Sequence, residues 1–83
     1  MAVELLVDGL PRAYTEADLQ GLFEHYGPVS SVQIVRGPGG ESLRFGYVTM
    51  TTVEDADKAR MALNARPVGS GALIVIVQKR NEP

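Results

Sequence analysis

The strongest constraint on the fold of this chain is the order in which two helical patterns interrupt four short β-prone runs. Strands are predicted where β-branched and other apolar residues concentrate, over residues 3–7, 29–35, 43–50 and 72–78. A helix is predicted after a cap at Thr15, and a second helix after a cap at Thr51 or Thr52. The order β-α-β-β-α-β predicts an α+β fold in which two helices cover one face of a four-stranded antiparallel sheet.

Length and composition exclude several classes of protein. A chain of 83 residues suffices for one domain, predicted over residues 1–83, and not for two. It has no cysteine and a single histidine, His25, which excludes disulfides, thiolate metal sites and multi-histidine zinc sites. The longest apolar run, residues 72–77, is too short to span a bilayer, and no secretory signal opens the chain. We expect an intracellular domain, cytoplasmic or nuclear, without cofactor, metal or catalytic residues.

Charge is distributed unevenly along the chain. The net charge is −2 and the pI is about 5.2, whereas generic nucleic-acid binders are usually basic. Residues 1–43 carry two arginines against six acids, a net charge of −4, and residues 44–83 carry six basic residues against four acids, a net charge of +2. A polyanionic ligand would therefore have to bind at a local basic patch.

The predicted architecture leaves the second face of the sheet open, and strand alternation indicates which residues lie there. Because Val48 is a natural core residue, Phe45 and Tyr47 on the same strand are expected to point away from the helices. On the first strand, Leu6 is expected to share their face. Residues 72–78 are apolar at both alternating sets of positions, so alternation alone does not orient the last strand.

Two segments resemble the signatures of the RNA recognition motif family. Residues 43–50 read LRFGYVTM, against a family octamer of basic, Gly, aromatic, Gly or Ala, aromatic, Val, any, aromatic. Residues 5–10 read LLVDGL, against a hexamer of aliphatic, aromatic, aliphatic, any, Asn, Leu. The resemblance covers residues 3–80, including the order and spacing of the elements, and it implies the ferredoxin-like β-α-β-β-α-β fold.

The resemblance implies an RNA-binding module with a role in post-transcriptional regulation. In the family, single-stranded RNA stacks its bases on aromatic residues of the open sheet face. Tyr47 would be one stacking platform, and Phe45 would lie against a neighbouring base or sugar. Gln33 is either a contact to a base edge or a plain surface residue. The remaining predicted RNA-binding residues, of which the cations would contact phosphates, are Leu6, Arg36, Arg44, Gln78, Lys79 and Arg80. Single-stranded DNA is a second candidate ligand.

The sequence departs from the family pattern at several positions. Leu43 stands where the octamer begins with a basic residue, and Arg44, which alternation places on the face opposite the rings, stands where it has Gly. Leu6 replaces the aromatic residue of the hexamer, so one of three stacking platforms is missing. Met50 replaces the last aromatic residue of the octamer at a position that faces the core.

RNA binding is the leading hypothesis, and these departures motivate an alternative function, a protein-interaction or self-associating variant of the same fold. Alignment to the family turns Ile74 and Ile76 of the last strand onto the open face, where polar base contacts are common. With Leu6 and the two aromatic residues they would form an apolar patch of the kind that often marks a protein interface. An acylphosphatase-like or metal-handling domain of the same topology is a weaker alternative, because the chain lacks the residues that either activity needs.

Overall fold

A four-stranded antiparallel sheet and two helices follow one another in the predicted order. The computed structural model describes residues 2–69 and 71–81, with the backbone alone at Arg80 and Asn81. The elements in chain order are β1 (Ala2–Asp8), α1 (Glu16–Glu24), β2 (Val29–Arg36), β3 (Ser42–Met50), α2 (Val53–Leu63), β4 (Pro67–Val68), β5 (Gly71–Ala72) and β6 (Ile74–Asn81). The α+β fold predicted from the sequence is confirmed.

Both helices begin at threonine caps. The Thr15 side chain accepts a hydrogen bond from the Asp18 backbone N–H at 3.2 Å, and the Asp18 carboxylate accepts one from the Thr15 N–H at 3.0 Å. This is the reciprocal capping box that the sequence predicts. At α2 the cap is Thr52, whose hydroxyl accepts from the Asp55 N–H at 3.2 Å, so the choice left open between two threonines is settled.

The last strand begins later than predicted. Ala72 pairs with Pro67 in the small hairpin of β4 and β5, so the expected start of the strand at residue 72 is wrong. Leu73 separates the hairpin from β6, because its N–H donates to the Arg66 carbonyl at 2.9 Å and its carbonyl accepts from the Ala65 N–H. Local β-propensity cannot distinguish the two pairings, since both are extended.

The core lies between the helices and one face of the sheet. The strand order is β2-β3-β1-β6, with α1 packed on β2 and β3, and α2 packed on β1, β3 and β6. Leu73 and Val75 are buried, whereas Ile74 and Ile76 are 54% and 46% exposed, which settles the orientation of the last strand. The largest buried side chain is that of Phe23 in α1. Within residues 2–69 and 71–81, neither helix is long and apolar enough to cross a membrane.

Side chains cover part of each outer edge of the sheet. At the β2 edge, the Glu16 carboxylate accepts from the Ile34 N–H at 3.3 Å and from the Arg36 guanidinium at 3.0 Å. At the β6 edge, the Asn64 side-chain oxygen accepts from the Val75 N–H at 2.9 Å. These contacts satisfy backbone donors that would otherwise be free to pair with another strand.

Candidate nucleic-acid interface

The centre of the open face is a row of four residues, one from each strand of the large sheet. Gln33 lies opposite Tyr47, Tyr47 opposite Leu6, and Leu6 opposite Ile76. Residues paired across antiparallel strands have Cβ atoms about 4.5–5.5 Å apart and share one face. The row therefore presents an amide, a phenol ring and two aliphatic side chains as one continuous strip.

A second row contains the other aromatic residue of β3. Asp8 of β1 lies between Phe45 on one side and Ile74 on the other. The Asp8 side chain is exposed, and its Oδ1 accepts a hydrogen bond from the Gly9 N–H at 2.8 Å. The cross-strand neighbour of one of the two rings is thus a residue with a carboxylate.

The third row contains one acid and one base. Glu4 of β1 lies between Thr49 of β3 and Lys79 of β6. The register of β6 shifts here, since Leu5 pairs with Val77 and the preceding residue of β1 pairs with Lys79. Gln78, a predicted contact residue, is the extra residue of this bulge and is exposed.

The two aromatic rings of β3 are neighbours on this face. The centroids of Phe45 and Tyr47 lie 6.4 Å apart, with ring planes at 81°. Both rings lie on the side of β3 opposite Val48 and Met50, which are fully buried, so the rings point away from the core as alternation predicts. Perpendicular rings cannot both lie flat under the same plane, so each offers a different surface to a ligand.

Arg44 lies in an irregular part of β3 that strict alternation does not describe. Ile34 pairs with Gly46 and Arg36 pairs with Ser42, so β3 contains extra residues at this point. Arg44 has a φ of 69°, in the left-handed region that β-bulges use. Its guanidinium Nε donates to the Leu10 carbonyl at 3.1 Å, which holds the charge near the end of β1.

Two further predicted phosphate contacts, Arg36 and Arg80, are not found on the open face among the described side chains. Arg36 forms its ion pair with Glu16 at the outer edge of β2. Hydrogen bonds from the backbone N–H groups of Glu16 itself and Ile34, and from Arg36, hold the pKa of Glu16 below its usual value. The Arg80 side chain lies outside the described residues.

The structure thus groups Tyr47, Phe45, Leu6 and Gln33 with Ile74, Ile76 and Lys79 on one face. The sequence does not predict two contacts that hold predicted cations against other groups. These are the ion pair of Arg36 and the hydrogen bond of Arg44 to Leu10. Both join residues that are distant in the chain, so no local sequence signal indicates them.

Comparisons with known proteins agree with this architecture. Over 60 residues the chain is 42% identical to a component of eukaryotic translation initiation factor 3 of Dictyostelium discoideum, covering 72% of this chain and 26% of that protein. The crystal structure of RNA binding protein PG1 superposes with a TM-score of 0.89 at 32% identity, covering 96% of this chain and 99% of that chain. The Sxl-lethal protein/RNA complex superposes with a TM-score of 0.89 at 28% identity, covering 99% of this chain and 50% of that chain.

The family is established by a match that covers most of the chain. This chain spans 12% to 27% of the length of five curated relatives that it matches, so it corresponds to one part of each of them. The sequence model that matches residues 5–73 is that of the RNA recognition motif. With the β-α-β-β-α-β fold and both signature segments on adjacent central strands, the chain belongs to the RNA recognition motif family.

Proposed function

We propose that the open face binds short single-stranded RNA by stacking bases on the rings of Tyr47 and Phe45. The observation that carries the proposal is that both rings lie side by side on a central strand, on the face opposite the helices. Stacking needs only an accessible π-face, and each stacked base contributes about 1–3 kcal/mol by alanine substitution. The perpendicular ring planes support a division of roles, with one ring under a base and the other against a neighbouring base or sugar.

Charged groups would contribute less to binding than stacking does. Lys79 lies on the open face and Arg44 near one end of β1, and in this proposal both contact phosphates. Arg80, whose side chain lies outside the described residues, stays a predicted phosphate contact. Arg36 is already paired with Glu16, so its charge is partly neutralised. Gln33 and Gln78 are exposed amides that would contact base edges. The proposal is for a binding module and not for an enzyme.

The experiment that tests this proposal removes both rings. Tyr47→Ala combined with Phe45→Ala should weaken binding to short degenerate single-stranded RNA by about tenfold or more, measured by fluorescence anisotropy. Met61→Ala is the matched control, because it truncates an apolar side chain that is 73% exposed on α2, away from the sheet. Unchanged RNA affinity in a folded double variant would refute the stacking mechanism. Parallel titration with DNA of the same sequence shows whether the ribose is recognised.

A second candidate function rests on the exposed isoleucines of β6. Ile74 and Ile76 are about half exposed and extend the apolar strip from Leu6 to the sheet edge. Such a surface suits a protein partner or a second copy of the chain. Under this alternative, sedimentation velocity would show association that rises with concentration and that Ile76→Lys abolishes. A monomer at high concentration with intact RNA binding would exclude self-association.

A further inference from the structure

The carboxylate of Asp8 occupies a position from which it would meet the edge of a base stacked on Phe45. The two residues are register partners on adjacent strands, and the other cross-strand neighbour of Asp8 is Ile74. Side chains paired in this way rise from the same face about 5 Å apart. A base lying on the Phe45 ring would therefore direct part of its edge towards Asp8.

The environment of Asp8 leaves its charge available to a ligand. Its Oδ1 is held by the Gly9 N–H at 2.8 Å, which orients the carboxylate. Within the part of the chain that the structure describes, Asp8 forms no ion pair. The second carboxylate of the open face, Glu4, differs because Lys79 is its cross-strand partner.

A carboxylate can only accept hydrogen bonds, and this restricts the bases that it can favour. Cytosine and adenine each present an exocyclic amino donor, as guanine does at N2. Uracil instead presents carbonyl oxygens on both sides of its single ring N–H, and these oxygens would face the carboxylate unfavourably. We propose, on the basis of the proposed function, that Asp8 is a specificity-determining residue that selects bases with an exocyclic amino group and rejects uracil.

The test compares two RNAs that differ in the base edge and not in ring size. Hexacytidylate and hexauridylate are titrated into the wild-type protein, Asp8→Asn and Glu4→Gln, with affinity measured by fluorescence anisotropy. The Asn side chain of Asp8→Asn has the same shape as that of Asp and keeps an oxygen that accepts from the Gly9 N–H. Its NH2 group, however, donates hydrogen bonds, so it can also pair with the carbonyl oxygens of uracil. Glu4→Gln removes the same charge from the same face and serves as the matched control.

The wild-type protein should bind hexacytidylate about fivefold or more tightly than hexauridylate, which is the lower end of the discrimination from base-edge contacts. This ratio should fall below about twofold in Asp8→Asn. In Glu4→Gln both affinities should rise by a similar factor, because phosphate repulsion decreases, and the ratio should stay as in the wild type.

A ratio near one in the wild-type protein, a ratio that Asp8→Asn leaves unchanged, or a ratio that Glu4→Gln abolishes equally would overturn the assignment while leaving the proposed function intact. Absence of binding to either hexamer, and to the degenerate RNA, would instead be the failure of the proposed function itself.

Discussion

Gly46 separates the two aromatic residues of β3, and the structure predicts that this position does not accept a methyl group. A Cβ atom placed there would collide with the Gln33 carbonyl oxygen and would lie 3.0 Å from the Ile34 Cα. Both obstacles belong to the backbone of β2, so no rotation of a flexible side chain can relieve the contact. Gly46→Ala should therefore push β2 and β3 apart at the centre of the sheet.

The expected cost of Gly46→Ala follows from two opposing effects. Overpacking of a buried position costs typically about 1–3 kcal/mol. Replacing glycine by alanine also lowers the conformational entropy of the unfolded chain, which offsets about 0.4–1 kcal/mol. The net loss in free energy of unfolding should be roughly 1–2 kcal/mol. For a domain of this size, each kcal/mol lowers the Tm by about 4–8 °C.

Urea and thermal unfolding followed by circular dichroism would measure this loss, with Gly21→Ala as the matched control. Gly21 lies inside α1, and apart from its chain neighbours and its own helix backbone, no described atom lies within 4 Å of its added Cβ. The same substitution there should raise stability by roughly 0.5–1 kcal/mol. A Gly46→Ala protein at least as stable as the wild type would refute the argument from close approach.

Three further predictions concern the open face and the sheet edges. Leu6→Tyr restores a third ring to the centre row and should strengthen RNA binding about fivefold or more, measured by anisotropy; no gain would count against stacking as the dominant contact. Because the pKa of Glu16 is lowered in the folded protein, its contribution to stability is present above its usual pKa and disappears as the pH falls through the lowered value. The Tm difference between wild type and Glu16→Gln should therefore close as the pH falls below 4.5, the ordinary pKa of this carboxyl, and a pH-independent difference would contradict this. Asn64→Ala leaves the Val75 N–H without its acceptor and should lower the free energy of unfolding by about 1 kcal/mol. Asn64→Asp keeps an acceptor oxygen and should lose much less stability, and equal losses in the two variants would show that the acceptor is unimportant.

The sequence predicts the architecture well because its signals are local. The capping box of Thr15 and Asp18 depends on residues three apart, and the burial of Val48 depends on simple alternation within one strand. The placement of Phe45 and Tyr47 follows from the same alternation once the helices are assigned to one face. Each of these steps uses information that lies within a few residues.

The features that the sequence does not predict depend on contacts between distant segments. Ala72 pairs with Pro67 in the small hairpin of β4 and β5, although the apolar run that begins at Ala72 is equally suited to β6. The left-handed backbone of Arg44 reflects unequal numbers of residues on β2 and β3. Arg36 forms an ion pair with Glu16, which lies 20 positions earlier in the chain. Secondary-structure propensity and strand alternation depend on nearby residues, so they do not predict contacts between distant segments.

Under the proposed function, the charges of the open face would affect both the affinity for RNA of any sequence and the preference among bases. Two acids, Glu4 and Asp8, lie on the central strand β1, whereas Lys79 lies on the outer strand β6 and Arg36, at the outer edge of β2, already has a partner. Few phosphates would be neutralised, so the affinity should depend only weakly on salt. For a single strand, each phosphate contact adds about 0.7 to the steepness with which log K falls against the logarithm of the salt concentration. Phosphate contacts do not distinguish one base from another, whereas contacts to base edges do. A face with few cations therefore has a lower affinity for RNA of any sequence. In this proposal the remaining affinity comes from stacking and from the groups beside the rings. The negative charge of Asp8 would then weaken binding to all RNAs while making the remaining affinity depend on the base.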